Sequence, residues 1–267
     1  MTTSRVASTL IWPMFFIYCG LFAVVCAKTE LQAGLTWSLL SVWSILCSVY
    51  LLIRHKLPAK KGIICSVVIS GLFLLSGVNA FQPQFLITVC CVFLSTCAVF
   101  STYDAWKECG LVFFRNKTGL DLSKSIGIGI AIGLLWGLLN YLMMKTNNPV
   151  AYGNPVESLL IALNPAILEE IAFRAVFAAI CISCWDGYIT RYRSFAIWIM
   201  MIVPHALVHT VENFRSGVIE GLITLTLLSV LFGLPFAVLQ RKRDLLSAMI
   251  AHGVVDFVRF MIFGLPV

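Results

Sequence analysis

The 267-residue sequence is short of charge: 12% of its residues are Asp, Glu, Lys or Arg, against 60% that are apolar. Soluble globular proteins carry about 25% charged residues, so this scarcity excludes a soluble enzyme and a disordered chain alike. Barrel-strand alternation of apolar and polar residues is also missing, which excludes an outer-membrane-type β-barrel. No Ser or Cys stands in a nucleophile motif, so a covalent mechanism is disfavoured. No internal repeat is visible, which weakens an inverted-repeat transporter reading. Nine of the ten cysteines lie in apolar stretches and read as buried small hydrophobes. The Cys181 and Cys184 pair has no second Cys or His pair to complete a zinc site.

Long apolar runs fill the chain instead. Nine candidate spans are readable, at 10–27, 33–53, 62–79, 84–103, 125–144, 164–184, 194–211, 217–239 and 245–265. A lone spanning segment must satisfy its backbone polar groups internally, so each span is expected to be helical and the fold all-α and polytopic. The net charge of +7 resolves on inspection into an orientation signal. Fourteen Lys and Arg fall in the N-terminus and the even-numbered loops, three in the odd-numbered loops and C-terminus. That bias predicts a cytoplasmic N-terminus and an outside C-terminus, in a plasma (inner) membrane. It disfavours nucleic acid as a partner. A signal peptide is the alternative for the first span, since Arg5 precedes it and Val25, Cys26 and Ala27 end it like a cleavage site. The loop from Trp106 to Lys124 mixes aromatic and basic residues as an interfacial helix does. It divides the chain into N-terminal accessory helices, 1–105, and a core, 120–267. The Asn116 sequon falls on the cytoplasmic side, so glycosylation is not expected there.

The core holds what the first four spans lack. An ionisable side chain at mid-bilayer costs roughly 2.5–3.5 kcal/mol on insertion scales, so such residues are functional candidates. Glu169, Glu170, Arg174, His205, His209, His252, Asp256 and Arg259 fall in the last four spans, with Glu220 near an end. Asn164 and Pro165 suit the cap and first turn of the sixth helix, which puts the two glutamates about one turn below the outer surface. Glu170 and Arg174, at i and i+4 with the acid first, have the spacing of a helical ion pair. Glu169 points elsewhere, without a cation, and is the candidate general base. His205 and His209 share a helix face at a spacing that also suits zinc, with Pro204 freeing a carbonyl. His252 and Asp256 share another, where the acid can orient the imidazole; the competing pairing is Asp256 with Arg259.

These stretches resemble the CPBP intramembrane protease family, which includes type II CAAX prenyl endopeptidases and bacterial abortive-infection and bacteriocin self-immunity proteins. The family pattern is EExxxR, FxxxH and HxxxN or HxxxD on separate helices. Glu169 to Arg174 matches the first and His252 to Asp256 the third. In the middle motif His205 occupies the Phe slot if the histidine is His209, and Met201 does if it is His205. Ala175 replaces the Gly that commonly follows the Arg. The resemblance covers roughly 125–265 and implies that Glu169 activates water, that Glu170 and Arg174 support it, and that His209, His252 and Asp256 complete the site.

The leading expectation is therefore a membrane endopeptidase that hydrolyses a peptide bond in a membrane-anchored or lipidated protein by glutamate-activated water. No cofactor is favoured; the alternative is zinc on His205, His209 and His252, with Glu169 as base or fourth ligand. Two other functions remain open: a non-catalytic immunity or scaffold protein, and a proton-coupled transporter.

Overall fold

The computed structural model describes residues 10–28, 34–77, 83–115, 118–145 and 150–264. Every regular element among them is helical. The helices are α1 (Ile11–Ala27), α2 (Gly34–His55), α3 (Lys60–Leu75), α4 (Pro83–Ala105), α5 (Asp121–Met144) and α6 (Pro155–Glu170). A π turn, Ile171–Ala175, joins α6 to α7 (Val176–Cys184). Then come α8 (Arg191–Val208), the short α9 (Val211–Ser216) and α10 (Val218–Leu228). A second π turn, Ser229–Gly233, leads into α11 (Leu234–Lys242), and α12 (Leu245–Phe263) ends the described chain. Among the described residues five helices are long and apolar enough to cross a membrane: Gly34–His55, Phe85–Ala105, Asp121–Met144, Val218–Lys242 and Leu245–Phe263. Ile11–Ala27 is a shorter apolar helix. The protein is an all-α polytopic membrane protein, while the count of nine spans rests on the sequence. Arg5 and Asn116 lie outside the described residues.

Small residues let α5 lie directly on α12. A Cβ on Gly133 would stand 2.7 Å from the Ala251 carbonyl oxygen, and one on Gly129 would stand 2.8 Å from Ile250 Cβ. The glycines at every fourth position therefore form the seam. The other face of α5 leaves Leu134, Leu135, Leu138 and Leu142 exposed, as a lipid-facing surface requires. Trp136 donates its indole N–H to the Leu231 carbonyl within the second π turn, tying α5 to the rod formed by α10 and α11.

Two sequence expectations are corrected. The sixth helix starts at Pro155, not Pro165. Its cap is Asn154, whose side chain accepts from the Val156 and Glu157 amides at 2.9 and 3.2 Å. Asn154-Pro155 and Asn164-Pro165 are both Asn-Pro pairs, ten residues apart, and of these two the earlier one caps. Asn164 and Pro165 sit inside the helix, so Glu169 and Glu170 lie about 21 Å from its start at 1.5 Å per residue, far deeper than one turn. The second correction concerns the basic aromatic loop. It contains one 3-10 turn, Lys107–Cys109, and then crosses α12 as a strap. The amides of Leu245 and Leu246 donate to the carbonyls of Val112 and Phe113 at 3.1 and 2.9 Å. Arg115 Nε reaches the Arg243 carbonyl at 2.6 Å. Phe113 is spent on packing, stacked on Phe100, and Arg115 on carbonyls at a helix corner.

Candidate active site

α6 and α12 run antiparallel, joined near the start of α6 and the end of α12 by the Gly153 amide donating to the Met261 carbonyl at 3.1 Å. That pairing brings the two acids of α6 level with His252 and Asp256 of α12. The π turn after Glu170 carries Arg174, and such turns are frequent at functional sites. Ser44 of α2 donates to the Ala172 carbonyl of this turn at 2.7 Å, so a helix without an acidic residue helps hold the charged segment. α8 supplies His205, one residue after Pro204, whose carbonyl accepts from the Tyr18 hydroxyl at 3.2 Å.

Glu170 and Arg174 form a fully buried ion pair. Glu170 Oε1 takes that contact and also accepts from His252 Nδ1 at 2.7 Å. The same guanidinium donates from Nε to the Met201 carbonyl at 3.3 Å and from Nη2 to His205 Nδ1 at 3.0 Å. A guanidinium can only donate, so Nδ1 of His205 accepts and the ring proton sits on Nε2. That N–H points at Glu169 Oε2, 2.5 Å away. Glu169 is thus not the free carboxylate the helix spacing suggests: its partner comes from another helix and is a histidine. His252 Nε2 stands 3.6 Å from the same Glu169 oxygen and 3.4 Å from Asp256 Oδ2.

The two middle-motif histidines differ in setting. His205 is buried, whereas His209 is the residue that caps α8, is exposed, and keeps its Nε2 3.7 Å from Glu169 and 3.3 Å from His205. Trp37 of α2 meets the His209 ring edge-on at 4.9 Å between centroids. Arg259 stands half-buried on the cavity wall, and the ion pair of Asp256 is with His252 instead. Glu220 is exposed on α10, away from the cluster.

A cavity of about 480 Å³ opens over this cluster, walled by Glu169, His205, His209, His252 and Asp256. Phe236 forms part of it, stacked on His252 at 4.8 Å with 9° between the ring planes, and lies 5.7 Å from the Arg174 guanidinium. Sequence reading missed Phe236, Trp37 and Asn140, the last also lining the cavity. Nothing in their local sequence separates them from ordinary packing residues; only the cross-helix geometry does.

Glu169, His205 and His209 bring one donor atom each within 4.8 Å of one another. Their chemistry does not fit a zinc centre. A zinc-bound imidazole offers a lone pair and directs its other N–H to an acceptor, but Arg174 donates into His205 Nδ1 and leaves Nε2 protonated. The three-histidine set shares that defect.

Residues 151–258 match the family model described as Type II CAAX prenyl endopeptidase Rce1-like. No curated protein and no solved structure matches the chain. The matched stretch covers less than half of the chain but contains the whole charged cluster from Glu169 to Asp256, so the likeness to that family falls on the candidate site.

Proposed function

We propose that the protein is an intramembrane endopeptidase in which Glu169 activates the hydrolytic water without a metal. The matched family implies a protease acting on membrane-associated proteins. One observation carries the finer reading: the Glu169 carboxylate is held by a proton-donating His205 on a cavity wall, with His252 across from it at 3.6 Å. Water entering the cavity gives a proton to Glu169 while its oxygen attacks the peptide carbonyl. His252 Nε2, and His209 at the exposed edge, face the developing oxyanion. Glu170 and Arg174 keep their charges paired and hold His252 and His205 from behind. His205 is the middle-motif histidine in this mechanism, and the family's Phe slot then holds Met201.

The loop charges put the opening of α6 on the extracytoplasmic side, so the substrate class is a membrane-anchored or lipidated protein exposed there. Cysteine labelling tests this orientation. A cysteine at Ser216 reacts with an impermeant thiol reagent and one at Lys60 does not; the reverse pattern moves the substrate to the cytosol.

The catalytic reading is tested by comparing membrane proteomes of wild type and a Glu169→Gln strain, and by cleavage with purified protein in detergent, with and without a strong chelator. Glu169→Gln keeps size and hydrogen bonding but cannot take a proton. It accumulates normally, one precursor builds up, and cleavage falls at least ~100-fold, the lower end for loss of general-base catalysis. Full activity in Glu169→Gln removes the protease reading, and stoichiometric zinc with chelator-sensitive cleavage removes the metal-free mechanism.

A further inference from the structure

We propose that Arg259, with Asn140 beside it, is a carboxylate-binding subsite of the cavity, which holds an acidic group of the substrate about three residues from the bond that is cut. The inference rests on the peptidase reading above and deepens it by naming what the site reads.

Arg259 is the charged residue of the cavity wall that the hydrolytic cluster does not use. It is half-buried, and among the described residues it makes no hydrogen bond and no ion pair. Asp256, one turn before it, feels its charge but has its ion pair with His252, at 3.4 Å. The guanidinium lies 5.7 Å from the ring of Phe260, which is buried on the same wall. An aromatic ring therefore backs the cation, and its N–H donors stay uncommitted. An Arg within a membrane helix is costly unless it meets an anion or water. Arg174 meets Glu170, whereas Arg259 has only the cavity.

The place of Arg259 on α12 sets the reach. His252, Asp256 and Arg259 share one helix face, and seven residues make nearly two turns, so Arg259 lies in line with His252 and about 10 Å further along. An extended chain covers that distance in about three residues. The seam with α5, where Gly133 meets Val254 and Gly137 meets Val258, brings Asn140 to the turn that carries Arg259. Asn140 lines the cavity and makes no hydrogen bond among the described residues, so its amide N–H is available to the same anion. Asn164 of α6 lines the interval, level with Gly253, which packs on Ala166. Its amide both donates and accepts, as an extended substrate backbone requires.

The chemistry selects a carboxylate. A guanidinium fork matches two carboxylate oxygens at once. Glu169 and Asp256 on the same wall repel an acidic group near the hydrolytic centre, so the cavity admits one only at the Arg259 end. The group is the free end of the substrate chain or an Asp or Glu side chain, and both present the same two oxygens.

The test uses the full chain purified in detergent. Three internally quenched peptides share a prenylated cysteine and differ at the end: a free carboxyl, a carboxamide, and a carboxamide preceded by Asp. Wild type cleaves the free acid with a KM about tenfold or more below that of the carboxamide, the lower end for a hydrogen bond to a charged group. This comparison needs no variant to fold. Arg259→Gln loses the preference through KM, with kcat for the acid within a few-fold of wild type. Arg259→Lys keeps the charge without the fork and retains part of the preference, and Asn140→Leu narrows it. The Asp-ending peptide separates the sources: a KM near that of the acid assigns the subsite to any carboxylate at that reach, and one near that of the carboxamide assigns it to the chain end. Wild type that treats acid and carboxamide alike, or Arg259→Gln that weakens both equally, overturns the inference. A binding arm works without turnover. On Glu169→Gln protein, fluorescence anisotropy of a labelled peptide shows the acid bound about tenfold or more tighter than the carboxamide, and adding Arg259→Gln removes the difference. If wild type cleaves no probe while that difference persists, the peptidase reading fails and the subsite stands. If acid and carboxamide bind alike, and native mass spectrometry finds a phospholipid held by wild type but not by Arg259→Gln, the cation serves a lipid phosphate and the inference is overturned.

Discussion

The two halves of this molecule solve the same problem with different chemistry. Within α1 to α4, buried polarity is carried by hydroxyls. Ser95 stands 3.2 Å from both Ser44 and Ser48, joining α2 to α4 through neutral groups. Within α6 to α12 it is carried by charge, with an Arg, three acids and two histidines meeting in one buried network. Hydroxyls can bond back to their own helix and tolerate the loss of a partner; a buried charge cannot. The neutral half is therefore the adjustable frame and the charged half the part in which each residue depends on the others. The frame still reaches the site, through Ser44 on the π turn and Trp37 on the His209 ring.

The largest break in that comparison comes from removing one charge. Glu170→Gln strands Arg174, which is fully buried, and removing one partner of such a pair costs about 3–5 kcal/mol. Folded yield in membranes falls, as fluorescence-detected size-exclusion chromatography would read, and adding Arg174→Met restores part of it. Normal yield in Glu170→Gln would place the charged half on the same footing as the neutral one.

Next come the two histidines. His205→Ala removes the group that holds Glu169 and leaves an Arg174 donor unmatched, so cleavage falls by about 100-fold or more, within the range for acid-base machinery. His209→Ala, at the exposed edge, costs roughly tenfold or less by the same measure. The family motif aligned through Ala206 to His209 gives the opposite order, so initial rates of the two purified variants decide between them.

The smallest effect is expected in the frame. Ser44→Ala deletes one buried hydrogen bond to the π turn, worth about 1 kcal/mol. A melting-temperature shift of a few degrees with a several-fold loss of rate fits a frame that tunes the site. Loss as large as that of Glu169→Gln would show that the halves are not distinct.

Much of this was readable from local sequence. Apolar runs must be helical in a bilayer, and the EEIAFR and HGVVD stretches mark themselves because ionisable residues are so rare elsewhere. The start of α6 was not readable, because Asn154-Pro155 and Asn164-Pro165 carry the same cap chemistry and only packing of 155–163 against α12 chooses the first. The strap at 106–115 was not readable either, since aromatic and basic residues suit an interface as well as they suit a corner of carbonyls.

By itself the sequence determined the solvent, the helical class and the residues that share each helix face, since hydropathy and i to i+4 spacing are properties of one segment. Only the tertiary structure decided which groups face each other across helices: His205 on Glu169, Glu170 on Nδ1 of His252, and Asp256 beside Nε2. Each residue turns a helix face by about 100°, and the π turn at Ile171–Ala175 adds a further offset between the acids and everything after them. Those rotations are fixed by the packing of several helices at once, and no single stretch of chain contains them.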